Sequence, residues 1–99
     1  MSAAYLIANY AVQNEEMLQS YRDVVIPQLI EAGCEFIVVN DNVEVAEGSP
    51  ASSIVVLKFE SMDALKKWYE SPEYQTIKGL RTNSTEGWVA LSEEFAMPG

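Results

Sequence analysis

The sequence predicts an α+β fold, one antiparallel sheet carrying its helices on a single face. Three observations lead there. Segments with strand patterning and segments with helical spacing alternate in the order β-α-β-β-α-β. The chain has 99 residues, the length of one domain; residues 1–99 are therefore read as a single unit, with a core of about 4–91 and a C-terminal tail of 92–99. Two helical crossovers around a central β-β connection make the split βαβ, ferredoxin-like βαββαβ sheet. Right-handed crossovers then put both helices on the same side.

The elements follow in order. "AYLIANYAV" (4–12) reads as a strand. Asn14 suits an N-cap, and Glu15 and Glu16 suit the positive end of a helix dipole. Leu18, Tyr21, Val25 and Leu29 then recur at helical spacing, with Met17 and Val24 beside them. Pro27 inside this helix predicts a kink that frees the Asp23 carbonyl. Gly33 is expected just past the helix end. "CEFIVVN" (34–40) is the second strand, and Asp41-Asn42 marks a turn or bulge. "VEVAEG" (43–48) is expected to continue that strand or pair back on it. "SSIVVLKFE" (52–60) is the third strand. Ser61 caps a second helix with Met62, Leu65, Trp68 and Tyr69 on one side. Ser71 caps again, Pro72 takes the first helical position and Glu73 the first turn. Tyr74, Ile77 and Leu80 give this third helical piece its own apolar side. "GWVALSEEF" (87–95) is the last strand and "AMPG" a tail.

The strands are apolar on both sides. Alternate residues of a strand face opposite ways, and a sheet with one wet face alternates apolar with polar. Here Leu6, Ala8, Tyr10 and Val12 oppose Tyr5, Ile7 and Ala11; Phe36 and Val38 oppose Ile37 and Val39; Ile54 and Val56 oppose Val55, Leu57 and Phe59; Trp88 and Ala90 oppose Val89 and Leu91. The helices cover one face. A second copy packed sheet to sheet is the expected cover for the other.

Composition narrows the chemistry. Fifteen acidic against six basic residues give a net charge of -9, which supplies no basic footprint for nucleic acid or an anionic membrane. No apolar run approaches the roughly 20 residues of a membrane span, and the N-terminus lacks a basic signal-peptide region. With one cysteine no intrachain disulfide forms. These features lead to the expectation of a cytoplasmic protein. Histidine is absent, which removes Ser-His and Cys-His nucleophile pairs and His-ligated haem. A structural zinc site is excluded with it. No dinucleotide loop appears, so no metal and no cofactor is expected.

Several stretches carry a family resemblance: Tyr21 with Pro27 and Gly33, "VEVAEG" with Glu47-Gly48, "VVLKFES" (55–61), and above all "WYESPEYQTIKGLR" (68–81). In the last, Tyr-x-Ser-Pro-Glu-Tyr is followed seven residues later by Arg81. Over about residues 4–91 the chain resembles the domain of unknown function family 1330, of the dimeric α+β barrel superfamily. The resemblance implies a homodimer and no established reaction. The superfamily also holds cofactor-free monooxygenases, isomerases and haem enzymes, but no motif here carries their catalytic residues over. The chain departs from the family pattern in having Cys34 where a second glycine follows Gly33, and in its longer tail.

Tyr69, Ser71, Pro72, Tyr74 and Arg81 form the strongest constellation. Arg81 suits a carboxylate held by its planar fork; structurally, it would pair with one of many acids while the tyrosines fill the core. Tyr21, beside the Pro27 kink, suits either a pocket or the amphipathic core. Glu47 is the candidate base if a cavity lies near it, and otherwise a solvated turn acid. Cys34 reads as an inert thiol without a His to activate it, and Lys58 as a snorkelling strand lysine. The resulting expectation is a dimer that binds a small organic acid or aromatic metabolite between helices and sheet through Tyr21, Glu47, Tyr74 and Arg81, either as a binding module or as a cofactor-independent enzyme. The alternative is an interaction protein without chemistry. An open pocket at Arg81 favours the first and a filled interior the second.

Overall fold

A computed structural model describes residues 2–98. The elements are β1 (Ala4–Val12), α1 (Glu15–Glu31), β2 (Glu35–Asn40), β3 (Ser53–Phe59), α2 (Met62–Tyr69), α3 (Pro72–Thr82) and β4 (Thr85–Glu93). The sheet order is β2-β3-β1-β4 with every pair antiparallel. This is the ferredoxin-like layout, with its second crossover helix split into α2 and α3.

Local chemistry sets the boundaries. The Asn14 side chain accepts from the Met17 amide at 3.0 Å, satisfying a free N–H of the first turn of α1. Gly33 ends that helix at φ +78, while the Cys34 amide donates back to the Leu29 carbonyl at 3.1 Å. That is the left-handed stop expected of a glycine. α1 continues through Pro27. Ser61 caps α2 through the Ala64 amide, and Ser71 caps α3 through the Tyr74 amide.

The pairing register decides which residues share a face. Leu6 lies between Leu57 and Leu91, and Ala8 between Val55 and Val89. This row meets Leu18, Val25, Leu29, Leu65, Trp68 and Tyr74 in the core, so all three helices lie on its side. The intervening row, with Ile7 between Val56 and Ala90 and Asn9 between Ile54 and Trp88, forms the outer face. Trp88 is 54% exposed there and Val38 37%. Both faces are thus apolar, and the chain covers one of them. Lys58, Ser92 and Glu86 stand toward the ends of this row, and Asn9 is polar near its middle: its amide holds the Ala51 and Ser53 carbonyls and the Ala51 N–H. Gly87 faces Tyr10 so closely that a Cβ would collide with the Asn9 carbonyl and the Tyr10 backbone.

Three expectations are corrected. "VEVAEG" forms no strand: Asn40 caps the Asn42 amide, Gly48 takes φ +80, and the loop keeps one backbone bond, Val43 N–H to Ser52 O. In β2 strict alternation fails. A register shift between Phe36 and Val38 places Phe36 opposite Leu57 and Val39 opposite Val55, both on the helix side, and leaves Val38 on the outer side. An extra residue in one strand of a pair has this effect. β4 begins at Thr85 rather than Gly87 and ends at Glu93 rather than Phe95, because β1 offers partners from Val12 back to Ala4.

Candidate functional site

α2 lies directly on the sheet, whereas α1 packs mainly against α3 and stands off it. The gap is a pocket of about 210 Å³. Its walls are the helix-side row of the sheet (Leu6, Ala8, Val55, Leu57, Val89) and the inward face of α1 (Leu18, Val25, Leu29), with Trp68 from α2. Ile26, Phe36 and Val39 also line it and are partly exposed, so they form a mouth between α1 and β2.

Five polar side chains reach this apolar space: Tyr10, Tyr21, Arg22, Tyr74 and Arg81. None is an acid, although the chain carries a net charge of -9. They form two groups. In the first, the Tyr21 and Tyr74 hydroxyls are 2.8 Å apart, and Arg81 Nε donates to the Tyr74 oxygen at 3.2 Å. Tyr74 is 1% exposed and packs against Trp68 and Tyr69, with ring centroids 4.3 and 5.2 Å away. The expected rise of about 10 Å along a helix over seven residues separates the backbones of Tyr74 and Arg81. The length of both side chains closes it.

Donors outnumber acceptors in this group. One phenolic hydrogen is used in the Tyr21–Tyr74 bond; the other has no acceptor among the described residues. A guanidinium carries five N–H groups; Nε is engaged by Tyr74, Tyr21 lies close to the group as well, and no acid accepts from it among the described residues. Arg81 makes no ion pair among the described residues, where the single pair is Arg22–Asp41. Burial raises the Tyr21 phenol well above its ordinary pKa, and its bond and proximity to Tyr74 add to this, against a smaller lowering by Arg81. Burial thus favours the protonated phenol at Tyr21. For Arg81, burial pulls downward, but Tyr74, Tyr21 and Tyr69 outweigh it and hold the pKa above its usual value.

The second group ties α1 to the sheet. Arg22 Nη2 donates to the Tyr10 hydroxyl at 3.2 Å and to Asp41 Oδ1 at 3.1 Å. Asp41 Oδ1 also accepts from the Ser53 hydroxyl at 3.1 Å.

Of the residues singled out from the sequence, Tyr21, Tyr74 and Arg81 come together here. Glu47 does not: it is exposed in the loop between β2 and β3 and lines no part of the pocket. Its candidacy as a base depended on a cavity nearby, and the pocket described here does not reach it. Tyr69 packs behind Tyr74, with Lys78 Nζ 5.7 Å from its ring. Ser71 caps α3 and donates to the Trp68 carbonyl at 2.7 Å, joining the two short helices. Cys34 lies outside the pocket lining; burial pushes its thiol up to about 11. Sequence reasoning missed Tyr10, Arg22, Asp41 and Trp68 as site residues. One signal was available, since Arg22 and Arg81 are the chain's two arginines. Among the described residues no helix is long and apolar enough to cross a membrane, and no cluster of His, Cys, Asp or Glu suits a metal ion.

The domain of unknown function family DUF1330 matches residues 3–95. No curated protein matches the sequence. Among solved structures, a protein of unknown function from Rhodopseudomonas palustris is similar with a TM-score of 0.79 at 9% identity, over 97% of this chain and 85% of that one. SnoaB, a cofactor-independent oxygenase from Streptomyces nogalater, gives 0.62 at 10%, over 100% and 96%. A dimeric ferredoxin-like protein of unknown function from Bacteroides fragilis gives 0.58 at 10%, over 93% and 94%. At these identities the likeness is one of fold.

Proposed function

The chain belongs to the DUF1330 family, and from that premise we propose that it is a homodimer whose subunits each bind a small organic acid with an aromatic or other apolar body in the pocket under α1. The observation that carries this reading is a guanidinium, Arg81, with no acidic partner among the described residues, set beside a spare phenolic hydrogen in a largely apolar pocket that no acid lines. Buried donors require acceptors, and a carboxylate supplies two charged ones in the geometry that an arginine fork prefers. An apolar cavity of about 150 Å³ accepts benzene, so 210 Å³ suits one ring plus a carboxylate. Larger, drug-sized ligands occupy about 300–1,000 Å³.

The site offers a cation and a hydrogen-bond donor, and no base. Its chemical capacity is to stabilise negative charge on a bound molecule. That is compatible with the cofactor-independent oxygenase among proteins of similar fold, and equally with plain binding. The homodimer is supported by the apolar outer face and by dimeric proteins of the same fold. Sedimentation at micromolar concentration is expected to show a dimer; a stable folded monomer would overturn that part.

Ligand binding is tested by thermal shift and calorimetry with benzoate, phenylacetate and their amides. The acids are expected to stabilise, by about 2.7 kcal/mol at one hundred times Kd, and the amides much less. Arg81→Ala is expected to fold nearly as the parent does and to lose the effect. Equal binding of acid and amide, or undiminished binding by Arg81→Ala, refutes the carboxylate reading. An Arg81→Ala protein that unfolds, with no acid ever stabilising the parent, makes Arg81 structural and favours an interaction protein.

A further inference from the structure

The pocket holds two guanidiniums, and they differ in one respect. Arg81, on the α3 and β4 side, pairs with no acid among the described residues, while Arg22, on the β2 and β3 side, is matched by Asp41. Resting on the reading above, we propose that Asp41 is a specificity-determining residue: by neutralising Arg22 it leaves the pocket one free cation, so that monoanionic acids bind and dianionic ones are rejected.

Asp41 is placed to do this. It follows the last residue of β2, where Asn40 caps the turn. The Ser53 hydroxyl, in a fully buried residue, holds its Oδ1. Arg22 reaches that same oxygen from α1 one turn before Ile26 of the mouth, with the Tyr10 hydroxyl as second anchor. The Arg22 side chain is 24% exposed and the Asp41 side chain 56%. The carboxylate is thus the more solvated partner, and Arg22 is among the residues that line the pocket. A ligand with one carboxylate satisfies Arg81 and places its ring against Leu, Val and Trp side chains. A second carboxylate would lie on apolar wall, or beside Arg22 within reach of the Asp41 charge. An unpaired buried carboxylate is strongly unfavourable, and like charges at one cation repel. The pocket is thereby selective by charge count and not by size alone.

Asp41→Asn tests this, because the amide oxygen still accepts from Ser53 and Arg22 while the charge is gone. Benzoate is compared by calorimetry with isophthalate and terephthalate, which add a second carboxylate at two positions of the ring. The parent protein is expected to bind benzoate at least about tenfold more tightly than either dianion. Asp41→Asn is expected to narrow that ratio by up to about fivefold, the upper end for one partly shielded charge pair, with little change for benzoate itself. The further change Arg22→Gln is expected to remove the gain. Asp41→Ser, measured alongside, keeps the test intact if the asparagine variant folds poorly. An unchanged ratio in both variants, with Arg81→Ala still abolishing benzoate binding, overturns the selector role and leaves the binding site standing. A parent protein that binds the dianions as well as benzoate also overturns it. If no acid binds the parent or the variants, the site and the selector fall together.

Discussion

Under α2 the sheet is filled. Leu65 is fully buried, Phe59 nearly so, and Phe59 and Trp68 stack at 5.8 Å between ring centroids. Under α1 the same face of the same sheet is hollow, although Leu18, Val25 and Leu29 are buried there as well. The difference lies in what holds each helix in place. Among the described residues no side-chain hydrogen bond joins α2 to the sheet, and Leu65 and Trp68 pack on it. α1 is propped by polar side chains: Tyr21 against Tyr74 and Arg81 on one side, Arg22 against Tyr10 and Asp41 on the other. Hydroxyls and guanidiniums are directional and long, so they hold the helix at a distance that methyl groups alone would close. A fold this small has little burial to spare, and a hollow half leaves the filled half carrying more of the stability.

The largest expected effect follows from that asymmetry. Leu65→Ala should cost about 2–5 kcal/mol, the range for a fully buried leucine, read as a lower midpoint in urea unfolding. A cost below about 1 kcal/mol would break the comparison, since it would mean that the α2 half also has slack.

Next in size is a matched pair on one strand. Ala4 and Ala8 both point to the helices and both are buried, but only Ala8 lines the pocket. Ala4→Leu should destabilise by about 1–3 kcal/mol through overpacking. Ala8→Leu should be neutral or stabilising and should block benzoate. Equal costs at the two positions would show that the pocket closes in solution.

How much of this was legible is settled by particular residues. Asn14, Gly33, Ser61 and Ser71 marked their helix ends because capping depends on a single residue and its immediate neighbours. The two-faced strands were legible because period two is local. The meeting of Tyr21 with Tyr74 spans 53 residues of sequence, and only the resemblance grouped them. "VEVAEG" was read as strand because it alternates like one, while Gly48, Pro50 and the turn at Asn40 override the pattern. The bulge that turns both Phe36 and Val39 to the pocket follows from pairing with β3, which no window of β2 contains. Arg22 carried no local signal; its partners are Tyr10 of β1 and Asp41 just past β2, both outside α1 and so outside its helical pattern.

A smaller effect separates architecture from binding. Ser71 accepts from the Tyr74 amide and donates to the Trp68 carbonyl, so it joins α2 to α3 without lining the pocket. Ser71→Ala should cost about 1 kcal/mol, as a lost cap does, with benzoate affinity little changed. A large loss of affinity would place the break between the helices inside the site and blur the division drawn above.

The smallest expected effect is a pH slope, and it tests the two regions separately. Cys34 lies beyond the end of α1 and outside the pocket, and burial first, then Glu35, raises its thiol from 9.0 to about 11. Tyr21 lies inside the pocket, and burial raises its phenol above 10.0. In both cases the folded chain keeps a proton that the unfolded chain has lost. The contribution is whole below the unfolded pKa and declines as pH rises toward the folded one. Melting temperature should therefore begin to fall near pH 9 with the thiol and continue above pH 10 with the phenol. Cys34→Ala should flatten the decline between pH 9 and 11, and Tyr21→Phe should flatten only the part above 10. Bound benzoate supplies Tyr21 with an acceptor and excludes water from around it, so it should protect the upper part alone. If benzoate instead reshapes the Cys34 part, the ligand is acting at the C-terminal end of α1, and the pocket under the helix is not where it binds.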